Sequence, residues 1–254
     1  MSEKLYTIPI NDAVNAGDEC PFCYIERAIE RDMMDFVLGG GSSYMESDVR
    51  EKTDKAGFCR MHYKKMFDYG NTLGNAWIMK THMLKTCNDA KKAIAGYHTT
   101  PNGVLSVMKK DKSDSMNSVT KWVREREESC FICAGFKDHY DRYLKTFFEM
   151  YEKDEQFADK LKHSKGFCLP HFADILDYSA HHLSERKQQE FADVFLPLMS
   201  ESLERLYGDV SWLIEKFDYK NKDADWKNSK EALQNCMQKL EGGYPADSAY
   251  TAKK

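Results

Sequence analysis

Residues 57–62 read GFCRMH and residues 166–171 read GFCLPH. The hexapeptide Gly-Phe-Cys-x-x-His therefore recurs at an offset of 109 residues. Each copy has a partner upstream. Cys20-Pro-Phe-Cys23 precedes Cys59-x-x-His62 by 35 intervening residues, and Cys130-Phe-Ile-Cys133 precedes Cys168-x-x-His171 by 34. Six of the eight cysteines and two of the eight histidines thus fall into one layout used twice. The likeness extends past the ligands: Tyr63 matches Phe172, and Asp68-Tyr69 matches Asp177-Tyr178 at the same offset. Such self-similarity marks a duplicated unit, and it sets the fold before any single helix is considered.

The local pattern around each copy is helical. A helix is expected over Pro21–Leu38, closed by Gly39-Gly40-Gly41. A short returning helix over 48–56, capped by Ser47 or Asp48, stops at Gly57, and Cys59 starts the next. In the second copy the helices cover about 131–151 and 154–164, and a third starts at Cys168 with Pro170 in its first turn. Cys59, His62, Met66 and Tyr69 share one helical face, as do Cys168, His171, Ile175 and Tyr178. Gly57 and Gly166 are expected at positive φ, next to sulfur. Long helices follow at about 75–96 and 184–217, the latter bent at Pro197, and Ser229 caps a last helix to Leu240. The stretch before Cys20 is taken as a loop. Strand-like alternation is almost absent, so the fold class is all-α: tandem helical units, each stapled by a Cys3His metal site, plus long C-terminal helices.

The expected organisation is a first repeat over 1–97, a linker over 98–116 that contains Pro-Asn-Gly, a second repeat over 117–242 and a mobile tail over 243–254. The two repeats are expected to pack as one unit. An excursion of about 35 residues can return CxxH to CxxC, and each copy carries a complete ligand set. The simpler grouping is therefore Cys20, Cys23, Cys59 and His62 around one ion, and Cys130, Cys133, Cys168 and His171 around the other. Exchange of ligands between copies stays open.

Three thiolates and one imidazole are a usual closed set for structural zinc, with no position left for a reacting water. Two zinc ions per chain are expected. An iron–sulfur cluster or a thiol–disulfide role would use the same cysteines. Covalent haem attachment needs His directly after the second Cys, where Tyr24 and Ala134 stand. Asp68 and Asp177 suit contacts at helix ends better than support of the metal ligands. Cys87 and Cys236 lie outside the pattern and read as buried small apolar groups. His181-His182 point in different directions on a helix and read as solvated or core residues. His82, His98, His139 and His163 have no partner visible in the sequence. The charge run KWVREREES at 121–129 reads as a solvated helix face.

Composition narrows the function classes. There are 37 basic and 41 acidic side chains, net charge −4, which excludes a general nucleic-acid binder. MSEKLYTIPINDAV has no apolar core of a signal peptide, and no stretch is apolar enough to span a bilayer. The expected location is cytoplasmic. No nucleophile elbow, phosphate loop, HExxH or dinucleotide fingerprint occurs, which leans away from a familiar enzyme. The partner is expected to be a protein or small-molecule ligand, with redox or electron transfer as the alternative role.

The layout CPxC…GFCxxH used twice, followed by EKFDYKNKDADWKNSKEAL at 215–233, resembles the DUF6062 family of uncharacterised bacterial proteins over about residues 5–242. The second copy departs from it with Phe131 in place of proline, which removes a helix-start preference and no ligand. The resemblance implies no assigned activity. Some relatives carry a transporter substrate-binding label, which calls for a leader that this sequence does not show.

Overall fold

A computed structural model describes residues 3–41, 43–99 and 116–243. Those residues form helices and short connections, with no strand among them. In order they are α1 (Glu3–Asn15), α2 (Pro21–Leu38), α3 (Ser47–Ala56), α4 (Arg60–Tyr69), α5 (Thr72–Ala95), α6 (Ser118–Glu127), α7 (Phe131–Lys153), α8 (Glu155–Lys162), α9 (Leu169–His182), α10 (Glu185–Glu215) and α11 (Ala232–Glu241). Most of the expected linker and all of the expected tail except Gly243 lie outside the described residues.

Three boundaries differ from expectation, one of them at the last helix, where Ser229 opens a 3-10 turn and Glu231 stands at the capping position of α11. The stretch before Cys20 is a helix, not a loop, although Pro9 stands inside it. Ile10 and Ala13 are fully buried there, so packing of one face outweighs the lost backbone donor. In α3 the capping position falls on Glu46, whose side chain makes no cap bond, and Ser47 is already helical. Buried Val49 and Thr53, four residues apart, set that register instead.

The chain divides into two compact units. Among the described residues, one takes those up to Ile29 and those from Asp138 to Gly243; the other takes those between Glu30 and Lys137. The CxxC-bearing helices α2 and α7 each begin in one unit and end in the other.

The core of the first unit is aromatic. Phe22, Phe147, Phe157, Phe167, Phe191 and Phe195 are all fully buried. Phe147 meets Phe22, Phe157 and Phe167 at centroid distances of 5.2, 5.8 and 6.0 Å with edge-on geometry, the favoured arrangement for aromatic quadrupoles. Along α10, buried Phe191, Phe195, Met199, Ser202 and Leu206 follow the helical repeat. Pro197 falls on the exposed side, where water can satisfy the carbonyl it leaves unpaired.

The FDYKN segment after α10 winds around Lys216. The Lys216 ammonium donates to the carbonyls of Asn221, Lys222 and Ala224 at 2.6, 3.0 and 2.6 Å and lies 5.0 Å from the Trp226 ring centre. A buried ammonium needs such partners, and this one uses them to hold an irregular loop. Trp212 Nε1 donates to the Asp225 carbonyl at 2.9 Å and closes the same turn.

The core of the second unit joins Met34, Val37 and Leu38 of α2 to Phe58, Met66, Tyr69 and Ile78, with Ile132 of α7. Tyr69 keeps its hydroxyl satisfied by donating to Asp35 at 2.7 Å. The buried stripe expected on α4 is present; on α9 it runs through His171 and Ile175 and ends on Ser179, with Tyr178 half-buried.

Candidate metal centres

Both GFC turns use glycine for its backbone. Gly57 has φ 63° and ψ −159°, and Gly166 has φ 76°. The conformation of Gly57 is one that only glycine adopts readily. Each turn ends α3 or α8 and its connection and delivers a cysteine to an N-terminal helix position. Cys59 is the N-cap of α4, and Cys168 is the N-cap of α9. Cys20 and Cys130 stand just before α2 and α7, with Cys23 and Cys133 in the first turn of each. Helix N-termini favour thiolate over thiol.

The grouping of ligands is exchanged between the copies. Cys20 and Cys23 meet Cys168 and His171; Cys130 and Cys133 meet Cys59 and His62. The simpler grouping within each copy is therefore not the one that forms. Each set lies wholly within one compact unit. A backbone bond shows why Cys130 docks where it does: the Phe131 N–H donates to the Gly57 carbonyl at 2.9 Å. A proline at 131, as stands at 21, could not make it. Ser129 Oγ adds a bond to the neighbouring Ala56 carbonyl.

In the first centre, His171 Nδ1 lies 3.0, 3.4 and 3.6 Å from the sulfurs of Cys168, Cys20 and Cys23, and Cys23 and Cys168 are 3.7 Å apart. In the second, His62 Nδ1 lies 3.2, 3.3 and 3.4 Å from Cys59, Cys130 and Cys133, and Cys59 and Cys133 are 3.9 Å apart. All ligand atoms of each set lie within 4.8 Å of one another. None of the cysteines is in a disulfide.

Both histidines turn Nδ1 to the sulfurs and Nε2 to a carboxylate. His62 Nε2 donates to Glu30 Oε1 at 3.1 Å, and His171 Nε2 donates to Glu26 Oε1 at 3.0 Å. This contact fixes the tautomer whose Nδ1 lone pair is free to bind an ion. Lys65 bonds the Glu30 carboxylate in turn. The sequence reading missed both glutamates. Their signal was their phase on α2, three and seven residues past Cys23 on the ligand-bearing face. Asp68 instead pairs with Lys64 one turn away, an ordinary helix-surface contact.

Electrostatics shape the protonation of the second centre's own side chains. Burial alone would push the His62 imidazolium down, but bonds to Cys130 and Glu30 and the charge on Cys130 and Cys59 hold it up at about 10. Burial pushes the Cys130 thiol up, and His62 with two backbone bonds brings it down to about 6. Burial, then the neighbouring Cys130, pushes Cys133 up to about 12. At His171 burial again pushes down, and Cys168, Cys20, Cys23 and Glu26 more than offset it, so its pKa is raised. Three sulfurs packed this closely cannot all ionise beside one imidazolium. A divalent cation among them removes that conflict, displaces the remaining protons, and is given up again in acid.

The centres differ in exposure. All four ligands of the first are buried, and Gly242 at the end of α11 lies over it: a Cβ there would stand 3.5 Å from Cys168 Sγ and 3.8 Å from Cys23 Sγ. In the second, Cys130 and His62 are buried, Cys59 is half-buried and Cys133 is exposed.

The remaining sequence candidates lie elsewhere. His181 and His182 are exposed and bond only carbonyls of their own helix, while α6 buries no residue, as a solvated charged face should. Cys236 is half-buried, but Cys87 is exposed and not the buried apolar group expected, because it lies on the outer face of α5. His82 does have partners. Its Nδ1–H donates to the Asp54 carbonyl at 3.1 Å and its Nε2 accepts from Arg126 at 3.1 Å, and burial holds its pKa down.

Among the described residues no helix is long and apolar enough to cross a membrane. The sequence profile of a family of unknown function, DUF6062, matches residues 1–247. Among curated proteins the chain is similar to an uncharacterised 23.9 kDa protein in the xynA 3' region of Caldicellulosiruptor sp. (strain Rt8B.4), with 22% identity over 208 residues, 80% of this chain and 85% of the relative. No solved structure matches it.

Proposed function

The chain belongs to DUF6062, and from its geometry we propose a cytoplasmic zinc protein whose two Cys3His centres are structural staples in an all-helical interaction module. The observation that carries this reading is the size of the ligand tetrahedra. With Zn–S bonds of about 2.3 Å and a Zn–N bond of about 2.05 Å, tetrahedral angles require S···S separations of about 3.75 Å and N···S separations of about 3.55 Å. Cys23 and Cys168 stand 3.7 Å apart and Cys59 and Cys133 3.9 Å apart, the N···S separations run from 3.0 to 3.6 Å, and all ligand atoms of a set lie within 4.8 Å of one another. One ion per set fits that size. A multi-iron cluster divides its ligands among two or four irons and spreads them farther. Four protein ligands leave no coordination site for substrate, which supports a structural role. Reduced thiolates in this number suit a reducing compartment. The partner of the module is a protein or a small molecule.

Metal analysis and a visible spectrum of anaerobically purified protein test the reading. Two zinc ions per chain and no charge-transfer absorption are expected; iron with a broad visible band would overturn it. The carboxylates give a finer check. Glu26→Gln and Glu30→Gln should each weaken one zinc site by roughly 10- to 100-fold, read by competition with a chromophoric chelator. Unchanged affinity in both would remove them from the sites.

A further inference from the structure

We propose that the second centre is a peroxide-responsive site, opened at Cys133, while the first centre stays closed to the same oxidant. The inference rests on the zinc reading above. Its basis is an asymmetry between two otherwise matching ligand sets in one chain. A metal-bound thiolate keeps its nucleophilic electron pairs, so whether it reacts depends on access. Cys20, Cys23 and Cys168 are buried, and the backbone at Gly242 lies over two of them. Cys133 is exposed, and Cys59, half-buried, stands 3.9 Å from it.

The chemistry closes with hydrogen peroxide as the named oxidant. The Cys133 thiolate attacks one peroxide oxygen, the O–O bond breaks and hydroxide leaves, giving a sulfenic acid. The Cys59 thiolate then attacks that sulfur, an S–S bond forms and a second hydroxide leaves. Two thiolates have lost two electrons, and one peroxide has become two hydroxides, which take up protons as water. The sulfurs need to close from 3.9 Å to the bond length of about 2.05 Å. Only Cys130 and His62 then remain as ligands, too few to hold the ion. A dithiol reductant reverses the step and restores the site. The buried centre retains its ion and keeps its unit folded.

Treatment of the zinc-loaded full chain with hydrogen peroxide, in the presence of a chromophoric chelator, tests this. One zinc per chain should be released, faster than the second by on the order of tenfold or more. Differential thiol labelling with peptide mass mapping should place the disulfide between Cys133 and Cys59. Dithiothreitol plus zinc should restore two ions per chain. A Cys133→His variant keeps a usual Cys2His2 set and should release its zinc more slowly than the natural chain. Release of both ions at one rate, first release from Cys20, Cys23 and Cys168, or no release would overturn the inference and leave the zinc reading intact. If variant Cys133→His binds no zinc, the mass map decides alone. A chain purified without metal would overturn the zinc reading, and this inference with it.

Discussion

A chain carrying Cys20→Ser with Cys168→Ser should lose one zinc, whereas Cys20→Ser with Cys59→Ser should lose both. The first pair empties a single centre, because Cys20 and Cys168 both face His171. The second pair strikes one ligand in each, because Cys59 belongs with His62, Cys130 and Cys133. Grouping within each sequence copy predicts the reverse assignment, so the two double variants separate the arrangements by metal content alone. Stability should follow. Loss of a structural zinc removes binding free energy on the order of 10 kcal/mol, comparable to the whole stability of an ordinary domain. The Cys20/Cys168 variant should therefore keep one cooperative transition, that of Glu30–Lys137, and lose that of the first unit. The Cys20/Cys59 variant should show little cooperative melting. Calorimetry alongside metal analysis reads both outcomes, and equal metal loss in the two variants would sink the exchanged grouping.

Spacing revealed the ligands but not their partners, for a reason that can be given a size. Closing Cys23 onto Cys59 spans 36 residues, while closing it onto Cys168 spans 145. Loop-closure entropy grows only with the logarithm of length, so the longer closure costs about 1.2 kcal/mol more. For the other centre, closing Cys130 onto His62, 68 residues away, costs about 0.6 kcal/mol more than closure within the copy. Differences this small are overridden by one buried aromatic contact or one backbone hydrogen bond. Phe131 N–H to the Gly57 carbonyl, with Phe58 and Ile132 in one core, supplies both kinds. The helices themselves were legible because their faces repeat: α2 ends where the glycines begin, and α4 and α9 start at their cysteines. α1 was not, because Pro9 argues locally against a helix and only its tertiary packing argues for one. Glu26 and Glu30 were hidden among helix-surface charges: their phase on α2 was a local signal, but phase alone does not say whether a glutamate meets a histidine or water.

Lys239→Met should destabilise the first unit by about 3–5 kcal/mol and loosen the first centre while leaving the second unchanged. Lys239 is fully buried, an arrangement that requires its charge and donors to be matched. Its ammonium donates to the Glu19 carbonyl and the Lys165 carbonyl, each at 2.7 Å, and lies 3.3 Å from the Glu19 carboxylate. Burial pushes its pKa down, and Glu19 opposes that shift. Arg205 bonds the same carboxylate at 2.6 Å. Glu19 immediately precedes Cys20, and Lys165 immediately precedes Gly166-Phe167-Cys168. One ammonium therefore ties together the two backbone segments that bring ligands to the centre, and it does so from α11, whose end at Gly242 covers the sulfurs. Methionine keeps the length of the side chain and removes every donor. The Glu19 carbonyl and part of its carboxylate then lose their ammonium partner, the Lys165 carbonyl keeps Ser202 Oγ at 2.8 Å, and α11 loses its anchor beside the metal. Urea denaturation of the zinc-loaded variant reads the stability loss. Chelator kinetics read the second effect: zinc should leave the Cys20 centre faster than in the natural chain, with the Cys133 centre as an internal reference. A variant that loses stability while both release rates stay unchanged would show that Lys239 braces the helix packing and not the centre.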